Sequence, residues 1–163
     1  MICFEVITMS VANASNDSQQ KEACTFICSR DTIDGVYPSL LLAINARRMG
    51  LDSTIFYTFM GLNVIRKGGT SKCQFVPQGT MGAIPGMSSL ATKMMRKQID
   101  EADIPTIDEL MEIAQLEGVN LVACKMTLDM MKLRVSDLID GVRINTAEDY
   151  LKYARSCSIN MFT

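Results

Sequence analysis

Gly118-Val119-Asn120-Leu121-Val122-Ala123-Cys124, followed by Lys125-Met126-Thr127-Leu128-Asp129-Met130-Met131-Lys132-Leu133, is the stretch whose reading decides the fold. The apolar run 119–123 is short and bounded by Gly118, so it reads as a buried strand rather than a helix. Cys124 falls where that strand ends. Thr127 is placed to cap a helical turn over 128–132, whose free backbone N–H groups would point back toward the sulfur and stabilise a thiolate. Sites in an open α/β sheet form at the carboxyl ends of strands. Position and chemistry therefore select the same residue.

Upstream, Thr106-Ile107-Asp108-Glu109 is a capping box just after Pro105, and Leu110, Ile113, Ala114 and Leu116 follow as the buried face of a helix that Gly118 ends. Downstream, Ser136 caps a further turn ending at Asp140-Gly141, and 142–144 forms a last strand. Thr146, with Asp149 three residues on, caps a final helix running through Cys157. Earlier in the chain, 23–29 is a first strand. The turn Arg30-Asp31-Thr32-Ile33-Asp34-Gly35 leads to a helix that Pro38 can open, with Val36, Leu40, Leu41 and Ile44 on its apolar face and Asn45, Arg47 and Arg48 toward water. Gly50 stops it. A second strand at 53–59 and a short helical return at 60–67 precede the Gly68-Gly69-Thr70-Ser71 break.

Between 72 and 103 the pattern is weakest: a short strand at 73–76, a loop over 78–87 punctuated by Gly79, Gly82, Pro85 and Gly86, and a helix over 88–99. Met81, Met87, Met94 and Met95 lie in or beside that loop. The ordinary role of methionine is to fill irregular core gaps; the alternative is a partner surface or a surface-lying amphipathic segment contacting a membrane through 78–97. At the start, 2–11 is apolar but follows no basic residues and is too short to span a bilayer. Residues 1–22 read as a flexible lead-in and 23–163 as a single domain. Alternating strands and helices with right-handed crossovers make this an α/β domain, with a doubly wound, mainly parallel sheet and helices on both faces.

Composition narrows the chemistry. With 163 residues and a net charge of −2, the chain is long enough for one core, and its scattered Lys and Arg form no basic face for nucleic acid. It contains no histidine, which removes the usual general base and the usual neutral metal ligand. Six cysteines at 3, 24, 28, 73, 124 and 157 form no CxxC pair, a spacing expected of free thiols in a reducing compartment such as the cytoplasm. Zinc ligand spacing is missing. Cys24 and Cys28 on one strand point to the same face about 13 Å apart, too far to form a disulfide. Asp31 and Asp34 disfavour a flavin phosphate in the loop after the first strand. Neither a metal nor an organic cofactor is expected. Cys124 is the best reactive group, with Lys125 beside it and a helix N-terminus to lower its pKa.

Four segments carry a resemblance to the DsrE/DsrF-like family: Ser29-Arg-Asp-Thr-Ile-Asp-Gly-Val-Tyr-Pro, Ile55-Phe-Tyr-Thr-Phe-Met-Gly-Leu, Ala123-Cys-Lys-Met-Thr-Leu-Asp-Met-Met and Asp137-Leu-Ile-Asp-Gly-Val. The Met-rich segment ending Gly82-Ala-Ile-Pro-Gly-Met is similar to the family's longer branch. The resemblance covers about residues 23–153. It implies a flavodoxin-like homo-oligomer, commonly a trimer or hexamer, that handles sulfane sulfur. The matching cysteine, Cys124, would take sulfur as a persulfide or thiosulfonate from a TusA-like or rhodanese-like carrier and pass it on. Lys125, Thr127, Asp31 and Thr32 are then candidate substrate-binding residues at the same crevice, and Cys157 a candidate resolving thiol. Two positions depart from the pattern: Lys132, where a glycine usually follows the Asp-x-Met run, and Asn145-Thr146, where glycines are common. The rival readings are a non-catalytic scaffold subunit that docks through the Met-rich loop, with Cys124 merely buried, or a membrane-peripheral subunit of a sulfur-metabolism complex.

Overall fold

The computed structural model describes residues 22–77, 79 and 84–163. The lead-in at 1–21, Met81 and the glycine at 82 lie outside the described residues. In chain order the elements are β1 (Ala23–Cys28), α1 (Ile33–Arg48), β2 (Asp52–Tyr57), 3-10 turns at Phe59–Ile65 and Thr70–Lys72, α2 (Met87–Glu101), α3 (Ile107–Leu116), β3 (Asn120–Cys124), α4 (Lys125–Met130), a 3-10 turn at Val135–Asp137, β4 (Arg143–Asn145), α5 (Ala147–Ala154) and β5 (Ile159–Phe162).

The five strands form one sheet in the order β4-β3-β2-β1-β5, and every pairing is parallel. From β1 to β4 the chain steps in one direction. It then returns across the whole sheet to β5, and right-handed crossovers require that return to lie on the opposite face. The packing follows. Cys24, Phe26, Cys28, Ile55, Tyr57, Leu121 and Ala123 point into a core with α1 and α3, whereas Phe56, Val122 and Cys124 point the other way, toward Tyr150 of α5. Phe56 and Tyr150 stack with centroids 4.3 Å apart, worth about 1 kcal/mol beyond burial.

Several elements begin or end differently from the sequence expectation. Helix α1 opens at Ile33, five residues before Pro38. Thr32 is extended, its carbonyl accepts from Gly35 and Val36, and the Gln74 carbonyl accepts from the Ile33 N–H. The first turn is thereby satisfied, and Pro38 forfeits only a bond in the second. Leu41 and Leu116 are exposed, while Met111 joins Leu110 and Ala114 inside. Arg47 is held by the Glu117 and Leu51 carbonyls and by Asp52 rather than turned freely to water. The expected strand at 73–76 reduces to a single bridge, Thr32 to Gln74. The helical return after β2 is 3-10, and the Val135–Asp137 turn is capped by Arg134 and Asp137 rather than by Ser136. Helix α5 stops at Ala154, and a fifth strand follows it. Both Thr capping boxes form as read, at Thr106–Glu109 and Thr146–Asp149.

Candidate functional site

The site grows from the register of β2 and β3. Tyr57 pairs with Ala123, so the residues after them, Thr58 and Cys124, leave the sheet side by side. Cys124 is the last residue of β3 and at the same time the N-cap of α4, with φ −70° and ψ 118°. No linker separates strand from helix. The expectation that Thr127 caps a turn over 128–132 is corrected here: the helix starts at once at Lys125, and Thr127 is its third residue. That shift brings the donors closer, because the second and third N–H groups of a helix are the ones that face the N-cap side chain.

Thr127 is buried, and its hydroxyl is the hub of a small network. Its Oγ1 lies 3.2 Å from Thr58 Oγ1 and accepts the Phe59 N–H at 3.1 Å. Phe59 adopts φ +46°, a left-handed conformation unusual for a bulky residue, and this turn aims its N–H at Thr127. Gly61 keeps the turn tight: its N–H bonds to the Ser29 carbonyl, and a Cβ there would sit 2.1 Å from the Cys28 oxygen.

Cys124 is 2% exposed. The neutral thiol makes no capping hydrogen bond; it is the anion that the surroundings favour. Burial alone raises the thiol pKa, but the Thr127 N–H and hydroxyl, the Thr58 hydroxyl and the Met126 N–H together outweigh it and hold Cys124 below the ordinary thiol value. The other described cysteines go the opposite way. Burial pushes Cys24, Cys28 and Cys157 up, and Cys73 reaches about 12 through burial and the nearby Asp31 carboxylate.

The remaining sequence candidates divide. Lys125 follows Cys124 directly, but its ammonium is exposed and pairs with Asp129 at 3.1 Å, and no charged side chain is among the groups that lower the Cys124 pKa. Asp31 and Thr32 belong to a different cluster. Asp31 accepts from Asn63 Nδ2 at 2.9 Å and raises the Cys28 and Cys73 thiols, while Thr32 heads α1 with its hydroxyl oxygen buried and unpartnered. Cys157 precedes β5, near Cys24 at the amino end of the sheet, whereas Cys124 closes the carboxyl end of β3. A strand length separates the two, so Cys157 does not serve as a resolving thiol within one chain.

Thr58, the Phe59 N–H and the Met126 N–H are the partners that the sequence reading missed. Extending the second strand to residue 59 absorbed Thr58 and Phe59 into a ladder. The available signal was adjacency: if β2 and β3 are neighbouring parallel strands, a polar residue at the end of one lies beside the end of the other.

Phe59 and Met60, in the turn after β2, and Met126 and Met130, on α4, are exposed. A groove of about 910 Å³ elsewhere, between α1, α2 and α3 and floored by Tyr37, Ile99, Ile104 and Ile113, contains none of the candidate site residues. Among the described residues no group of His, Cys, Asp or Glu is arranged to hold a metal, and no helix is long and apolar enough to cross a membrane.

The chain is similar to known proteins in sequence and in fold. The sulfur carrier protein DsrE2 of Allochromatium vinosum is 26% identical over 159 residues, covering 88% of this chain and 99% of that protein. The uncharacterised protein YrkE of Bacillus subtilis is 28% identical over 158 residues, covering 89% and 99%. The crystal structure of the ychN protein from E. coli superposes with a TM-score of 0.59 at 18% identity, over 87% of this chain and 99% of that one, a likeness of fold. The DsrE/DsrF/DrsH-like family matches residues 19–162, and the chain belongs to it.

Proposed function

We propose that this chain is a sulfur carrier of a relay, holding sulfane sulfur on Cys124 and exchanging it with partner proteins. The observation that carries the reading is the contrast among the described cysteines: four thiols are held protonated, and one, at the carboxyl end of β3, is surrounded by N–H and O–H donors that favour its anion. Membership of the family and the similarity to a named sulfur carrier support it. In the proposed step the Cys124 thiolate attacks the outer sulfur of a donor persulfide. The donor's S–S bond breaks with its electron pair leaving on the donor thiolate, and Cys124 becomes Cys-S-SH with no net redox change. A second thiolate from an acceptor removes that sulfur by the same exchange.

Phe59 and Met60, in the turn after β2, and Met126 and Met130, on α4, are exposed apolar side chains on the two elements that meet at Cys124, and a partner protein would seat its own cysteine against them. A carrier of TusA-like or rhodanese-like kind, a homo-oligomeric assembly and a reducing, cytoplasmic setting belong to the same proposal. So does Lys125 as a cation at the rim of the site; Asp31 and Thr32 take no part in the step.

Intact mass after incubation with a persulfide or thiosulfate donor tests the reading. Wild type gains one sulfur, with the donor thiolate or sulfite as the leaving group, and mild reductant removes it; Cys124→Ser gains nothing. An adduct that persists in Cys124→Ser, or none on reduced wild-type protein, overturns it.

A further inference from the structure

We propose that Thr58 is a positioning residue of the Cys124 site, its hydroxyl working with that of Thr127 as a matched pair of donors to the sulfur. The inference rests on the reading of Cys124 as the reacting thiolate.

The argument is an account of protons. A threonine hydroxyl has one proton to give and two lone pairs with which to accept. On Thr127 Oγ1 one lone pair is taken by the Phe59 N–H at 3.1 Å. Thr58 Oγ1 lies 3.2 Å from the same oxygen. Since the backbone already donates into Thr127, its own proton is free to turn to the sulfur. The Thr58 proton then has two useful acceptors, the sulfur itself and the second lone pair of Thr127, and either use strengthens the donation that a sulfur anion receives. A neutral thiol, by contrast, must place its own proton into this donor-rich corner. The Phe59 N–H takes one Thr127 lone pair and the Thr58 hydroxyl, 3.2 Å away, can take the other, and with both filled Thr127 can only donate to the sulfur.

No charge shares the task. On α5, Tyr150 is engaged by the Thr25 hydroxyl; on α4, Lys125 and Asp129 pair with each other; on β4, Arg143 is exposed and sits opposite Val122, not Cys124; after β1, Asp31 is held by Asn63. Nor is the Thr58 side chain needed to build the turn. Its backbone N–H continues the β1–β2 ladder by bonding to the Cys28 carbonyl at 3.0 Å, so valine, of the same shape, preserves the strand end.

The test reads the Cys124 thiolate by its ultraviolet absorbance across pH, as the difference between each protein and the same protein carrying Cys124→Ser. This measurement needs no reagent to reach a sealed thiol. In Thr58→Val the ionisation midpoint rises by about one pH unit, a roughly tenfold loss of thiolate at a pH below both midpoints, as expected for one lost hydrogen bond to an anion. Thr58→Ser, which keeps the hydroxyl, stays within about 0.3 unit of wild type. An unchanged midpoint in Thr58→Val overturns the proposal, as does an equal rise in Thr58→Ser, which would mark a packing effect. A wild-type midpoint at or above the ordinary thiol value would instead bring down the thiolate reading of Cys124 itself, and this inference with it.

Discussion

Cys28 and Cys124 are each the last residue of a strand in the same parallel sheet, and each is sealed from solvent, yet folding moves their thiol pKa values in opposite directions. Cys28, on the α1 face, is raised by burial even though the Ser39 hydroxyl, the Arg30 N–H and the Thr163 hydroxyl act to lower it. Its thiol donates to the Arg30 carbonyl at 3.4 Å and toward that of Gly35, and the Asp31 carboxylate adds a like-charge penalty to ionisation. Cys73, close by, donates to the Gly69 carbonyl. Cys124, on the α5 face, is surrounded by donors. Burial raises all three. What separates an inert thiol from an acidic one is whether its donors outweigh burial: at Cys124 they do, at Cys28 and Cys73 they do not. A strand end that runs directly into a helix offers the N–H groups of the first helical turn, those of Met126 and Thr127, at once.

The residue that joins these two regions is Gly61, and changing it has the largest expected effect. A Cβ there would lie 2.1 Å from the Cys28 oxygen and 2.7 Å from its carbon. Both are backbone atoms of a central strand that cannot give way cheaply. Gly61→Ala must push the Phe59–Ile65 turn off the end of β1, which costs about 3 kcal/mol or more. Urea titration would read that loss. A stability within about 0.5 kcal/mol of wild type would mean that the turn is not wedged as described.

A second way to sharpen the comparison is the pH dependence of stability, because the two kinds of thiol contribute with opposite sign. An unfolded cysteine titrates near 8.5. Cys73 is pushed up to about 12 when folded, so between those values the folded state binds the extra proton. Its contribution is complete below the unfolded value and is lost as pH rises toward 12, at up to about 1.4 kcal/mol per pH unit. Cys124 is lowered on folding, so its contribution is complete above the unfolded value and is lost as pH falls through the folded one. Denaturation at a series of pH values on both sides of the unfolded value should show Cys73→Ser losing part of the downward slope above it and Cys124→Ser losing part of an upward slope below it. Slopes of the same sign for both thiols would erase the distinction between the two regions.

Much of this was legible in the sequence, and the parts that were not share a cause. The capping boxes at Thr106 and Thr146, the stop at Gly118 and the strand into Cys124 are local signals, complete within a few residues, and they appear as read. Strand β5 carries no such signal. Ile159–Phe162 is an exposed edge without alternation, stabilised by its ladder to β1, which a one-dimensional reading does not contain. The donors around Cys124 were half legible for the same reason. Thr127 lies three residues away and was found, though as a cap; Thr58 lies on another strand and was absorbed into it. Asp31 and Thr32 were grouped with Cys124 because both loops leave the same end of the sheet, but side-chain contacts, not the sheet end, decide the cluster: those of Asp31 are with Asn63, Cys28 and Cys73, and the Thr32 hydroxyl is buried without a partner.

The smallest expected effect concerns strain, which also distinguishes the two regions. Of the described non-glycine residues with left-handed backbone, Phe59 and Lys132 flank Cys124, one in the turn after β2 and the other at the exit of α4; Asp103 lies apart, after α2. Lys132, at φ +53°, is the first residue beyond the helix end: its N–H bonds to the Asp129 carbonyl and that of Leu133 to the Leu128 carbonyl, the paired bonds of a Schellman motif, in which glycine is the usual occupant because it has no Cβ to clash. Lys132 therefore keeps the left-handed exit that glycine would adopt more cheaply, at a conformational cost. Lys132→Gly should raise stability by about 0.5–1 kcal/mol while leaving the Cys124 midpoint where it is, because the lysine makes no contact that lowers it. A midpoint that moves with Lys132→Gly would mean that the ammonium reaches the sulfur after all, and that charge, not only oriented dipoles, separates Cys124 from Cys28.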